Sequence, residues 1–178
     1  MNEKAEQLTE DRENFEGLRD QARSLIMATV GENALPRASY APFVLDSGCF
    51  YIYLSRLSEH TLELIENPVV SVLLIEDETA ASQIFARKRL TYLCESRTID
   101  RDDTGYDSIL MLLTRRFGNV MDLLRSLPDF VLFRLTPRSG RFVSGFGRAY
   151  ELAGERLEDI VRLGTHDPGP AVQKNSEQ

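Results

Sequence analysis

Apolar and polar positions along the chain change period several times, and each change marks an element. Between Leu8 and Arg23, Phe15, Leu18 and Ala22 recur at helical spacing among charges. This predicts a surface helix with one thin buried stripe, with Thr9 or Asp11 as its cap. Ser24 to Val30 then reads as a strand, Gly31-Glu32-Asn33 as a turn, and Arg37 to Leu45 as a returning strand. Asp46-Ser47-Gly48 is a tight-turn signal, after which Cys49 to Leu54 places Phe50, Ile52 and Leu54 on one face. Behind Ser58, suited to an N-cap, Leu62, Leu64 and Ile65 define a short helix that Asn67-Pro68 ends. Val69 to Ile75 is an almost unbroken β-branched and apolar run, far shorter than a membrane span. It predicts a central strand without a wet face.

Ile84 to Leu93 continues strand-like through Arg87-Lys88-Arg89; Leu90 to Ile99 completes that strand, and Asp100 to Asp103 stops it with charge. Thr104 to Leu127 predicts a helix interrupted at Phe117-Gly118-Asn119, with Ile109, Leu112, Leu113 and Phe117 as its buried stripe. After the break at Pro128-Asp129, two strands are expected, Phe130 to Leu135 and Arg141 to Leu152, joined by a turn at Pro137-Arg138-Ser139-Gly140. Glu155 to Leu163 reads as a last helix, and the polar residues 164–178 as a tail with little means of burial. The sum is a helical extension at 1–23, a domain at 24–163 of about seven strands, and that tail. Hairpin turns between neighbours and inserted helices predict a mainly β fold: an antiparallel barrel flanked by helices.

Composition narrows the partners. A chain of 178 residues with 42% hydrophobic positions can build one core, and a formal charge of −7 with pI near 5.0 argues against nucleic acid. Cys49 and Cys94 have no metal-ligand or disulfide-framework spacing. The acidic N-terminus lacks a signal pattern, and no apolar run approaches the roughly 20 residues of a membrane helix, so no membrane insertion and a cytoplasmic location are expected. No serine, cysteine or paired-carboxylate constellation points to a hydrolase.

Five stretches, taken together, have a familiar order: SYAPF, SEHTLELIENPVVSVLLIEDE, FARKRLT, FRLTPRSGRFVSGFGRA, and a histidine near the C-terminus. Over roughly Ser24 to His166 the chain resembles the FMN-binding split-barrel superfamily of pyridoxamine 5'-phosphate oxidase-like proteins, and within it the haem-utilisation branch of the HugZ and HutZ type. The resemblance implies a homodimer of split barrels with two ligand clefts at the subunit interface. Those clefts would hold FMN in the flavin members and haem, opened oxidatively to release iron, in the haem branch. A shared fold does not decide between them; the site residues must.

His166 is one of two histidines and stands where the haem branch places its iron ligand. His60, on the short helix beside Ser58 and Thr61, is the weaker competitor. Asp129 and Asp167 are candidates to receive the second ring N–H of His166. Arg87 and Arg89, by strand alternation, share one face and would meet haem propionates or lie over the iron as catalytic donors; in a flavin protein they would grip phosphate. Arg148 is a further cation on the same logic. Gly145-Phe146-Gly147 lacks dinucleotide-binding spacing and reads as a bend or bulge in a long strand. Ser55 and Arg56 match the phosphate-binding serine and basic residue of flavin members, although Leu57-Ser58-Glu59 stands where a second lysine is usual. With no flavin or nicotinamide motif of its own, a haem-degrading chain would need an external electron donor. An FMN-dependent oxidoreductase and a non-catalytic haem carrier are the alternatives.

Overall fold

The computed structural model describes residues 2–163. Within them α1 (Asn2–Gln21) leads into β1 (Ser24–Val30), β2 (Pro36–Asp46) and β3 (Cys49–Ser55). Next come α2 (Glu59–Glu66), β4 (Val69–Ile75) and β5 (Arg89–Ile99), then α3 (Tyr106–Phe117), α4 (Val120–Ser126), β6 (Phe130–Gly145), β7 (Arg148–Ala153) and β8 (Asp159–Arg162). Every pairing is antiparallel, in the order β3-β2-β1-β4-β5-β6-β7-β8, and β3 pairs again with β6 from Phe50↔Leu135 to Ser55↔Phe130. That last pairing closes six strands into a barrel and leaves β7 and β8 as an extension of the β6 edge. The mainly β fold with flanking helices is therefore present, with eight strands among the described residues instead of about seven.

Alternation along the strands builds two cores. Leu25, Met27, Phe50, Ile52, Val70, Val72, Leu74, Phe133 and Leu135 fill the barrel, and α1 adds Phe15, whose ring meets Phe142 edge-on at 5.7 Å. The opposite face of β3, carrying Cys49, Tyr51 and Tyr53, is covered by Ile109, Leu110 and Leu113 of α3 and Met121 of α4. Thus β3 is buried on both faces. β4 is not: Val70, Val72 and Leu74 point inward, but Val69 is 48% exposed and Ser71, Leu73 and Ile75 are only partly covered. The expected absence of a wet face on β4 is corrected for this chain alone.

Four further expectations are corrected. Ile84–Ala86 is a 3-10 turn, and the strand begins only at Arg89, because Arg87 Nε donates to Glu76 O at 2.9 Å and Lys88 N–H donates to Glu76 Oε2 at 3.2 Å, clipping the preceding loop shut. The expected turn at Pro137–Gly140 is absorbed into one 16-residue strand, β6. Leu93 pairs with Ser139 and Cys94 with Pro137, so Arg138 is the extra residue of a bulge, a place where a strand can hold a proline. Gly140 is needed there, since a Cβ would lie 2.6 Å from Leu152 Cδ1. The hairpin turn falls instead at Phe146-Gly147, where Gly147 takes φ +65°; the expected irregularity is present as a register shift between Val143 and Gly145, but it leads into a turn and does not sit within one long strand. The expected last helix is replaced by β8, whose pairing of Ile160 with Leu152 buries Ile160 in the core. Smaller shifts follow the same logic: α1 starts early enough to make Asp11 an interior, buried residue and not a cap, while α2 buries Thr61, Glu63 and Leu64 and leaves Leu62 and Ile65 exposed.

Candidate functional site

Residues paired across antiparallel strands share a face, so the register gives the outer surface directly. One row runs Tyr40–Ile26–Leu73–Thr91–Arg141–Glu151 across β2, β1, β4, β5, β6 and β7. Its neighbours run Ser71–Leu93–Ser139 on one side and Ile75–Arg89–Val143–Ala149 on the other. The β1–β4 half is apolar and bare, with Tyr40 69%, Leu93 47% and Ile26 42% exposed. The β5–β7 half carries the cations Arg89 and Arg141, with Glu151 at its far edge.

Over that half lies a groove of about 470 Å³ lined by Phe85, Arg89, Thr91, Arg141, Phe146 and Arg148, with Val143 and the Gly145–Ala149 turn in its floor. A second trough of about 580 Å³ adjoins it through Thr91 and Arg141 and reaches Leu93 and Leu152. Both are open along one side, and each has a volume in the range of small-molecule sites. Phe85 and Phe146 stand at the rim, 83% and 71% exposed. Arg89 Nη1 donates to Arg87 O at 3.2 Å; among the described residues neither Arg89 nor Arg141 is ion-paired with a carboxylate. Two guanidiniums, aromatic edges and an apolar sheet together suit a flat apolar ligand bearing carboxylates.

The other sequence-predicted residues are dispersed. Arg87 does not share a face with Arg89: it precedes the strand, and its Nη1 lies 3.0 Å from Glu78 Oε1 while Nε and Nη2 engage Glu76 O. Arg148 lines the groove but is tethered, its Nη1 lying 3.2 Å from Asp11 Oδ1 and 3.5 Å from Glu10 Oε2. Ser55, Arg56 and Asp129 form a separate cluster at the far end of β6, roughly 35 Å along the strand from Arg141. There Ser55 Oγ donates to Asp129 Oδ2, Leu57 N–H donates to Ser55 Oγ at 3.1 Å, and Arg56 N–H donates to Asp129 O at 2.9 Å. His166 and Asp167 lie outside the described residues.

His60 sits on α2, half-buried, and burial pushes its imidazole below the ordinary value. Its neighbour Glu63 accepts from Thr29 Oγ1 at 2.5 Å and from Arg37 Nε at 2.7 Å, hydrogen bonds that hold its carboxyl below the usual range. This network ties α2 to β1 and β2, and none of its residues lines the groove. Arg141 and the two rim phenylalanines were not legible from spacing. A continuous β6 would have revealed Arg141 by its outward parity opposite Thr91.

A family model described as pyridoxamine 5'-phosphate oxidase matches residues 6–144. A protein of Vibrio cholerae serotype O1 named heme oxygenase HutZ is 42% identical over 145 residues, which is 82% of each chain. A crystal structure of HutZ from Vibrio cholerae, described as a heme storage protein, superposes with a TM-score of 0.67 at 39% identity, covering 70% of this chain and 87% of that one. The Campylobacter jejuni ChuZ structure superposes at 0.77 with 30% identity over 88% of this chain, which spans 63% of ChuZ. No helix among the described residues is long and apolar enough to cross a membrane.

Proposed function

Since this chain belongs to the pyridoxamine 5'-phosphate oxidase family, we propose that it binds haem in the groove over β5–β7 and degrades it with electrons from an external reductant. The observation that carries this reading is the pair Arg89 and Arg141, two cations without carboxylate partners among the described residues, beside an apolar sheet face and two rim phenylalanines. The names of the relatives point to the same ligand. Arg89 and Arg141 hold the propionates, and the apolar face and rim aromatics exclude water from the macrocycle. Haem with one open iron face supplies the oxygen chemistry and is itself the substrate.

The site is completed by a second copy. The groove has one wall, and the row from Tyr40 through Ile26 to Leu73 runs from it onto bare apolar sheet. A two-fold partner on β1 and β4 buries that face and closes the trough, giving the homodimer. His166 is the proposed iron ligand; Asp129, too far along β6 to serve the groove of its own chain, would receive the ring N–H across the dimer interface, where it retains acceptor capacity after the bond from Ser55. The cytoplasm, where reductants are at hand, is the proposed compartment.

FMN fits less well. The hydroxyl of Ser55 is already given to the Asp129 carboxylate, so a phosphate at Ser55 and Arg56 would face a negative charge. The test is optical. Purified protein titrated with haemin should develop a Soret band at one haem per chain, and under ascorbate or a reductase in air that band should fall as a biliverdin-like product appears. Stable Soret absorbance under those conditions would make the protein a carrier. A yellow protein that ignores haemin would overturn the reading.

A further inference from the structure

We infer that Asp11 is a positioning residue for the groove, fixing the β6–β7 hairpin and the Arg148 guanidinium that form one of its ends; this rests on reading the groove as a ligand site. Asp11 is fully buried on α1, where an ionised carboxyl needs several donors. It has three. Ser144 Oγ donates to its Oδ1, the Tyr150 hydroxyl donates to its Oδ2, and Arg148 Nη1 lies 3.2 Å from Oδ1. Those residues bracket the Phe146-Gly147 turn, so a single side chain of α1 grips both legs of the hairpin that lines the groove.

Anchoring α1 does not require this arrangement, because Phe15 one turn on already packs into the core against Phe142. Asp11 addresses only the hairpin. By strand parity with Tyr150, Arg148 starts on the α1 side of the sheet, yet its guanidinium passes close over Gly145, where a Cβ would lie 3.1 Å from Nη2. Glu10 and Asp11 draw Nη1, and Ser144 O accepts from Nη2 at 3.4 Å. The charge of Arg148 is thereby offset, and the residue serves as wall while Arg89 and Arg141 face the ligand's anions. Burial and the bond to Asp11 push the Tyr150 phenol up to about 12, so it remains a donor throughout the working range.

The chain has no tryptophan, so Phe146→Trp places a lone indole at the hairpin tip. In that background, without haemin, Asp11→Asn should lower the steady-state anisotropy of the indole and raise its quenching by acrylamide. In the otherwise native chain Asp11→Asn should raise the haemin Kd by about tenfold, the loss of one well-placed contact. Phe15→Leu, which loosens α1 at its packing on Phe142 but removes none of the contacts of Asp11, should lower Tm yet leave anisotropy and haemin Kd at their native values. Ser144→Ala should move both readouts less and in the same direction as Asp11→Asn, and it decides the matter if Asp11→Asn fails to fold. Native anisotropy in the Asp11 and Ser144 variants, or equal shifts in Phe15→Leu, would overturn the inference. If the native chain fails to bind haemin, the proposed function falls while the anisotropy comparison still judges Asp11.

Discussion

Arg89→Ala and Arg141→Ala are expected to weaken haemin binding by roughly tenfold and fivefold, and Arg87→Ala to leave it unchanged. The magnitudes follow from placement. Arg89 is half-buried and lines the groove with no carboxylate partner among the described residues, so a charge-assisted hydrogen bond to a propionate contributes about 1.5 kcal/mol there, close to tenfold in Kd. Arg141 is exposed, where such a pair contributes no more than about 1 kcal/mol. Arg87 spends its donors on Glu76 O and Glu78, so its removal should lower Tm by loosening the 76–88 loop without changing the anion grip. Arg89 and Arg141 would meet different carboxylates, and the double variant should lose roughly the product of the single losses. The assay is a Soret titration with haemin and, in parallel, with haemin dimethyl ester, whose carboxylates are blocked. All three variants should match the native chain toward the ester. A loss in Arg87→Ala as large as in Arg89→Ala, or losses that persist with the ester, would refute the assignment of the propionates to Arg89 and Arg141.

Ile26→Glu, which sets like charges against each other across a two-fold axis, should convert a species of twice the 20.2 kDa chain mass into monomer in sedimentation, while the far-ultraviolet spectrum stays native. Glu63→Gln should cost roughly 2–3 kcal/mol at pH 7, since it removes the charge from hydrogen bonds with Thr29 and Arg37. The folded carboxyl lies below its unfolded value, so this contribution is fully present above the unfolded pKa and is lost as pH falls through the folded one; urea melts of the two proteins should therefore converge in acid. His166→Ala should abolish or shift the Soret band with the fold unchanged, and His60→Ala should leave the spectrum alone; the reverse pattern would move the iron ligand to α2. Cys94, whose thiol burial pushes up to about 12, should resist iodoacetamide at pH 8 until the protein unfolds.

Local pattern by itself determined most of the elements. β1 and β4 fall where apolar residues alternate or run unbroken between turn signals, and α3 and α4 separate at Gly118 as the interrupted periodicity required. These features depend on neighbours within a few residues, which is why they can be read along one dimension. The tertiary structure decided the rest through contacts distant in sequence. Pro137 stays inside β6 because Leu93 and Cys94 offer a bulge to receive it, and residues 159–162 become β8 because Leu152 pairs with Ile160. The site was legible only in part, for the same reason. Arg89 and Arg148 were singled out as cations in a strand, but the tether of Arg148 depends on Asp11 and Glu10, and the place of Arg89 in the groove on its pairing with Val143, none of them near in sequence. Arg141 was hidden inside an expected turn boundary, and Arg87 was misplaced because Glu76 holds it outside the strand. An apolar run declares that a residue will be buried. It cannot declare by what, and so the bare face of β4 emerged only once the barrel closed with helices on its other side.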